Sequence, residues 1–309
     1  MGTFISGWGH CLPEKVLTNQ DFESMLDTSD QWITERTGIK ERHVGGTTFE
    51  LATAAASMAL KNANLENDVV NGVILATCTP DKMVPATSPN VLNSLGINQG
   101  FAFDLNAACA GFVYGLVVGD SLLRNANYQN IILIGADTLS RITDYSDRTT
   151  AVLFGDGAGA LVLTKSKDSN DFLLGYDLAA DGSLENLLYC NHGGFLKMEG
   201  KEVFRKAVRA SCDSALRVLE KTNVDPSQIY YIPHQANIRI MQAVGERLKI
   251  KPENTISVID KIGNTSSSSI PIALSIMAEK NFFKDGDLLL LSGFGAGMTF
   301  ATALIRWGR

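Results

Sequence analysis

Three residues have the types and the setting for nucleophilic chemistry: Cys109, His234 and Asn264. Cys109 lies in "DLNAACAGFVYGLVVGDSLL" (104–123), where an apolar strand gives way to an apolar helix. A thiol at a helix start faces unpaired backbone N–H groups and the positive end of the dipole, so a lowered pKa and a larger thiolate fraction are expected. Its small neighbours Ala107, Ala108, Ala110 and Gly111 leave room for a substrate and for close backbone approach. A packing cysteine fits the same stretch equally well. His234 follows an apolar strand in "YYIPHQANIRI", at a strand-to-helix junction of the kind where α/β proteins gather their sites. An imidazole there can hold a proton or donate a hydrogen bond near neutral pH, and a capping histidine is the ordinary alternative. Asn264, in "KIGNTSSSSIPIAL", offers an amide donor after a glycine and before serines suited to a helix start; a plain N-cap fits too. The three together, each at such a junction, argue for chemistry more strongly than any one.

The elements that must position them alternate along the chain. "GVILAT" (72–77), "FAFDL" (101–105), "NIILIG" (130–135) and "GALVLT" (159–164) read as buried strands, and 50–63, 88–95 and 109–126 as helices. The second half repeats the order: "IYYIPH" (229–234), "TISVID" (255–260), "DLLLLSG" (287–293) and "MTFATALI" (298–305) correspond in turn to the four strands. Ile232 minus Ile74 is 158, Leu288 minus Ile131 is 157 and Asn264 minus Cys109 is 155. Such spacing predicts a duplicated α/β fold, with halves 1–165 and 166–309 meeting in the polar stretch "TKSKDSND", and with Cys109 and Asn264 at equivalent places. Helix starts related in this way can converge on one centre.

Composition narrows the class. Of 309 residues, 45% are hydrophobic and 19% charged, which suits a large buried core. A net charge of −6 without a long basic tract disfavours nucleic acid as partner. Apolar runs such as "IILIGA" are strand-sized, so no membrane span is expected, and "MGTFISGWGHCLPEKV" reads as a first strand rather than a leader or a myristoylation site. The five cysteines (11, 78, 109, 190, 212) form no CxxC pair, so neither a disulfide framework nor a metal site is expected, and the chain reads as reduced and cytoplasmic. Two glycine-rich loops, "FGDGAGALVL" (154–163) and "SGFGAGMTFA" (292–301), lack the Gly-Lys-Ser/Thr ending of a nucleotide loop. Close packing, with N–H groups of the second loop aimed at a reacting oxygen, is the better reading.

The chain resembles the β-ketoacyl-acyl-carrier-protein synthase III family of the thiolase superfamily over essentially its whole length. The resemblance rests on "DTSDQWITERTGIKERH" (27–43), "NAACAGF" (106–112), "TDYSDRTTAVLFGDGAGA" (143–160), "IPHQANIRI" (232–240), "GNTS" (263–266) and "GFGAGMTF" (293–300). It implies a thiolase-like five-layered αβαβα fold of two duplicated halves, a homodimer, and the initiating condensing step of type II fatty acid synthesis. In that step Cys109 takes an acyl group from acyl-coenzyme A. His234 and Asn264 then hold the enolate as malonyl-acyl-carrier protein decarboxylates and condenses to a 3-oxoacyl-carrier protein. No bound cofactor is implied; coenzyme A enters as the thioester substrate.

Other roles follow from the same resemblance. Trp32 and Arg148 match residues that sandwich adenine, while Arg36, Thr37, Gly200, Phe204 and Asn237 match other contacts to substrate. Val84, Leu139, Phe154 and Phe294 match the acyl pocket, with Val84 supplied across the dimer. The N–H groups of Cys109 and Ala296 match the oxyanion hole, and Arg205, Arg239 and Arg247 match a basic patch for the acidic carrier protein. Lys201, Arg205 and Arg209 share one helix face, which reads equally as a solvated face.

The chain departs from the family pattern at four places. Ala296 replaces the middle glycine of the second loop, and its Cβ is strained if φ is positive there. Phe300-Ala301 replaces Trp-Gly, Ile262 replaces an aromatic, and Val84 stands where many members carry Phe. The smaller Val84 predicts a deeper pocket and tolerance of longer or branched primers. A specialised ketosynthase or acyltransferase of secondary metabolism, with another primer or acceptor, is the neighbouring alternative.

Overall fold

The computed structural model describes residues 2–166 and 172–308, so the expected boundary stretch 164–171 falls largely outside the described residues. The core elements, in chain order, are β1 (Gly2–Cys11), α1 (Asp30–Thr37), α2 (Thr48–Ala63), β2 (Gly72–Ala76), β3 (Phe101–Leu105), α3 (Gly111–Asn125), β4 (Asn130–Thr138) and β5 (Asp156–Ser166). They continue with β6 (Leu173–Ala180), α4 (Gly200–Thr222), β7 (Ile229–Pro233), α5 (Ile238–Arg247), α6 (Ser269–Glu279), β8 (Leu288–Gly295) and β9 (Thr299–Arg306).

The first sheet runs β1-β5-β4-β2-β3 and the second β6-β9-β8-β7. In both, the parallel pairs lie at one side of the sheet, β4-β2-β3 in the first and β8-β7 in the second, and the remaining pairs are antiparallel. β2 and β4 are buried along their whole length, which explains their unbroken apolar sequence. α2 packs on the outside of the first sheet and α4 with α5 on the outside of the second; α3 and α6 lie between the sheets and touch both. The result is the five-layered αβαβα arrangement.

The central helix α3 must be apolar nearly all round, because sheet covers it on both sides. Gly115 and Gly119 let it approach the first sheet: a Cβ would sit 2.5 Å from Leu133 at one and 2.8 Å from Leu163 at the other. By contrast α4 is amphipathic, burying Val203, Ala207, Ala215 and Val218 on the second sheet and leaving its cations outside.

Strand register fixes the repeat. Ile74 pairs with Leu133 and Ile232 with Leu291, and both members of the second pair lie 158 residues beyond the first. The same offset relates the turns entering the central helices, Ala108–Ala110 before α3 and Ser266–Ser268 before α6. Cys109 therefore corresponds to Ser267, and Asn264 to Asn106; the direct Cys109–Asn264 equivalence expected from sequence is corrected. Both Asn106 and Asn264 accept, through Oδ1, the N–H two residues on. Both next turns open on a left-handed residue, Ala108 (φ 47°) and Ser266 (φ 56°).

A second correction concerns 255–260. Only Thr255 bridges Tyr231, and the chain then turns into the short helix Ile259–Ile262. Gln235 explains why: its amide donates to the Ile256 carbonyl and accepts the Val258 N–H, taking the place of a strand ladder.

Candidate active site

The turn before α3 places Cys109 in the lining of a cavity of about 560 Å³. Thr299 Oγ1 donates to the Ala107 carbonyl at 2.8 Å and Asn106 Oδ1 accepts the Ala108 N–H at 3.0 Å, holding the turn from both sides. Left-handed backbone at an alanine costs about 1 kcal/mol, a strain found where a fold must present a side chain at one angle. Gly293 and Gly295 of β8 make room beneath: a Cβ at Gly295 would stand 2.5 Å from the Cys109 nitrogen.

His234 and Asn264 line the same cavity. The β7 strand ends at Pro233, and the His234 N–H continues the ladder to the Ser292 carbonyl at 2.8 Å. Its Nδ1 meets Ser269 Oγ at 2.7 Å, and its ring stands edge-to-face to Phe294 with centroids 5.4 Å apart. Asn264 is fixed by its backbone, N–H to the Leu153 carbonyl and C=O to the Gly155 N–H, both at 2.9 Å. With Oδ1 committed to the Ser266 N–H, its Nδ2 donors are the groups left for a ligand.

The electrostatics differ from the expectation for Cys109. Enclosure by protein pushes its thiol up to about 12; a hydrogen bond from Ser266 Oγ (3.4 Å) works downward and the charge of Asp137 upward. The lowered pKa expected from a helix terminus is thus corrected: α3 begins two residues later, and burial dominates at the sulfur. Burial also drives His234 down to about 3, so its imidazole is neutral at physiological pH.

Leu139, Phe154, Phe294, Gly200, Phe204, Asn237 and Ala296 all line the cavity. The feared strain at Ala296 does not arise, because the left-handed residue of that loop is Gly297 (φ 107°). Asn237 caps α5, accepting the Arg239 N–H and donating to the Arg36 carbonyl at 2.9 Å. Trp32, Arg36 and Arg148 form one cluster outside this cavity: the two guanidiniums lie 4.9 and 5.1 Å from the indole centroid. Thr37 is buried with its hydroxyl donating to the Ile33 carbonyl and accepting the Ile39 N–H, so it shapes α1 rather than presenting a free hydroxyl.

Val84 is not a wall of this chain's cavity; it is 85% exposed beside the exposed Met83. The three arginines expected to form a basic patch each have a neighbour of their own. Arg205 pairs with Glu202 at 2.6 Å, Arg239 lies over Phe204 at 5.7 Å, and Arg247 neighbours the Cys212 thiol. Sequence reasoning missed Cys78, Ser266 and Ser269. Ser266 Oγ sits between two sulfurs, 3.4 Å from Cys109 and 3.7 Å from Cys78. All five cysteines are free, and no helix among the described residues is long and apolar enough to cross a membrane.

A cysteine, a neutral histidine and an asparagine converging from two duplicated halves define a thiolase-fold acyltransferase. The family description "3-Oxoacyl-[acyl-carrier-protein (ACP)] synthase III" matches residues 103–182, and its C-terminal counterpart matches 219–307. A β-ketoacyl-[acyl-carrier-protein] synthase III of Aquifex aeolicus (strain VF5) is 46% identical over 99% of this chain and 100% of its own. One from Bacillus anthracis is 42% identical over the full length of both. A crystal structure of the Aquifex aeolicus VF5 protein superposes with a TM-score of 0.97 at 45% identity, covering 99% of this chain and all of that one. The Pseudomonas aeruginosa PAO1 structure gives 0.95 at 41%, covering 100% and 99%. The chain belongs to the β-ketoacyl-[acyl-carrier-protein] synthase III family, the initiating condensing enzymes of fatty acid synthesis.

Proposed function

We propose that Cys109, His234 and Asn264 carry out this condensation on an acyl-coenzyme A primer and malonyl-acyl-carrier protein, with halves 1–165 and 166–309 each supplying one wall of the site. The convergence of the three side chains on one cavity of about 560 Å³ carries the reading.

In the first half-reaction the Cys109 sulfur attacks the thioester carbonyl, coenzyme A leaves as its thiol with the proton of Cys109, and an acyl-cysteine remains. The N–H groups of Cys109 and Ala296, two residues of the cavity lining, would receive the developing oxyanion. A thiol with a high pKa gives up its proton as attack proceeds, and the resulting sulfur is strongly nucleophilic.

In the second half-reaction carbon dioxide leaves the malonyl thioester and the enolate oxygen needs two neutral donors. Asn264 Nδ2 is one. Ser269 Oγ accepts the Gln235 N–H and lies 2.7 Å from His234 Nδ1; with the serine hydroxyl donating to Nδ1, the imidazole proton would sit on Nε2 and serve as the other. The carbanion attacks the acyl-cysteine, the new carbon–carbon bond forms, and Cys109 leaves as thiolate and takes up a proton from solvent, which balances the one carried off by coenzyme A. No bound cofactor enters these steps.

Trp32 with Arg148 would take the adenine, the base entering where the guanidinium now rests on the indole. The homodimer would carry Val84 to its partner's acyl pocket, and the cytoplasm is the compartment that suits five free thiols. Reconstitution with acetyl-coenzyme A and malonyl-carrier protein tests the reading. Formation of 3-oxobutyryl-carrier protein supports it; carbon dioxide release without a condensed product contradicts it.

A further inference from the structure

Asp137 ends β4 fully buried, and its carboxylate gathers five donors. Oδ1 accepts the Cys78 N–H at 2.8 Å and the hydroxyls of Thr77 and Thr79 at 3.1 and 3.0 Å. Oδ2 accepts the Ser267 N–H at 3.0 Å and the Ser267 hydroxyl at 2.6 Å. One carboxylate thus joins the loop after β2, in the first half of the chain, to the turn before α6, in the second.

The repeat gives this arrangement a meaning. At the offset of 158 residues Asp137 corresponds to Gly295, and Ser267 corresponds to Cys109. The two halves treat the same backbone N–H in opposite ways. At Ser267 a carboxylate of the chain itself accepts it; at Cys109 a glycine leaves no side chain over it, and a Cβ there would stand 2.5 Å away.

We propose that Asp137 is a positioning residue of the condensation site: its carboxylate permanently fills the second half's counterpart of the oxyanion position and so fixes the turn 264–269. This rests on the roles of Cys109, His234 and Asn264 given above. The turn carries or touches each of the three side chains that the second half-reaction uses. The Ser266 N–H holds Asn264 Oδ1, Ser266 Oγ donates to Cys109 Sγ, and Ser269 Oγ meets His234 Nδ1. Ser267 stands in the middle of it, held at both its N–H and its hydroxyl.

Only a carboxylate can do this. The three hydroxyls can turn round and accept, but the two backbone N–H groups cannot, and they fall on different oxygens, Cys78 on Oδ1 and Ser267 on Oδ2. An asparagine would satisfy one and set its NH₂ against the other, leaving a buried donor unpaired.

The test separates the two half-reactions in the full-length enzyme. Loading is followed by the mass of the Cys109 adduct from acetyl-coenzyme A. Decarboxylation is followed as carbon dioxide released from malonyl-carrier protein by pre-acylated enzyme in a single turnover. In Asp137→Asn, losing the nearby charge lowers the thiol pKa while a loosened Ser266 raises it, so loading stays within about fivefold of wild type; decarboxylation falls by about fiftyfold or more. Equal losses in both steps mean a merely structural role and overturn the proposal, as does decarboxylation within fivefold of wild type. Ser267→Ala keeps the carboxylate and both N–H groups, and decides the matter where Asp137→Asn does not fold. Decarboxylation should fall about three- to tenfold with loading unchanged, and no such split overturns the proposal. Wild-type enzyme that forms no Cys109 adduct overturns the underlying reading and this proposal together.

Discussion

Ser266 Oγ donates a hydrogen bond to Cys109 Sγ across 3.4 Å, linking the start of one central helix to the start of the other. The bond is the main influence at the sulfur that favours thiolate, against burial and the charge of Asp137. Ser266→Ala should therefore slow alkylation of Cys109 by iodoacetamide about tenfold at pH 8, the range for a hydrogen bond to an ionised group. An unchanged rate would show that the serine does not stabilise the thiolate.

Acid should weaken the fold through histidine. The buried His234 titrates at about 3, while an unfolded imidazole binds its proton near 6.5. Between those values the unfolded chain holds more protons, so stability is present above pH 6.5 and is lost as pH falls. The slope well below 6.5 is about 1.4 kcal/mol per pH unit for this residue. His10, lowered by burial and partly restored by Glu279, adds to the trend. Thermal unfolding from pH 7 to 4 should show His234→Gln losing less stability than wild type; parallel curves would contradict the neutral, buried imidazole.

Close approach of the two halves depends on glycine at particular places. A Cβ at Gly135 would lie 2.5 Å from the Ser267 carbonyl oxygen, which is backbone and cannot step aside. Gly135→Ala should cost about 3 kcal/mol, whereas Gly182→Ala, with nothing within 4 Å, should leave the unfolding midpoint alone. Denaturant titration of both variants checks the contrast.

Carrier-protein recognition should separate from primer loading. Arg239 lies outside the catalytic trio but over Phe204 at the cavity wall. Arg239→Glu should raise KM for malonyl-carrier protein at least tenfold, falling with added salt, while acylation by acetyl-coenzyme A stays within twofold. Equal effects on both substrates would place the residue in the site itself.

Primer range should follow position 84. Wild type is expected to accept butyryl- and isobutyryl-coenzyme A, and Val84→Phe to lose them selectively while keeping acetyl. Since Val84 lies outside its own chain's cavity, a selective effect would also place a second copy of the chain at the pocket. Activity on acetyl-coenzyme A alone in the wild type would contradict the deeper pocket.

Much of this architecture is legible because buried strands and central helices must be apolar. The runs at 72–77, 101–105 and 130–135 each became a strand of the first sheet. Cys109, His234 and Asn264 stand out for the same reason, as polar groups at the ends of apolar elements. The true equivalence of Cys109 with Ser267 was hidden because aligning the interesting residues, rather than the strands, shifts the offset from 158 to 155. Residues 255–260 carry a strand-like pattern, yet a side chain, Gln235, takes their hydrogen bonds, and periodicity holds no trace of that. The raised thiol pKa follows from tertiary burial, which outweighs what a helix start alone suggests. A signal for Asp137 was present in "IILIGADT": an acid at the end of a fully buried strand must find donors across the core.

The central claim is that Cys109 becomes acylated. Intact-protein mass spectrometry after mixing with acyl-coenzyme A primers, with Cys109→Ala as control, tests it most directly. The account predicts one acyl adduct per chain, absent from the variant and discharged by malonyl-carrier protein. No adduct with any primer, or an adduct that persists in Cys109→Ala, would contradict it.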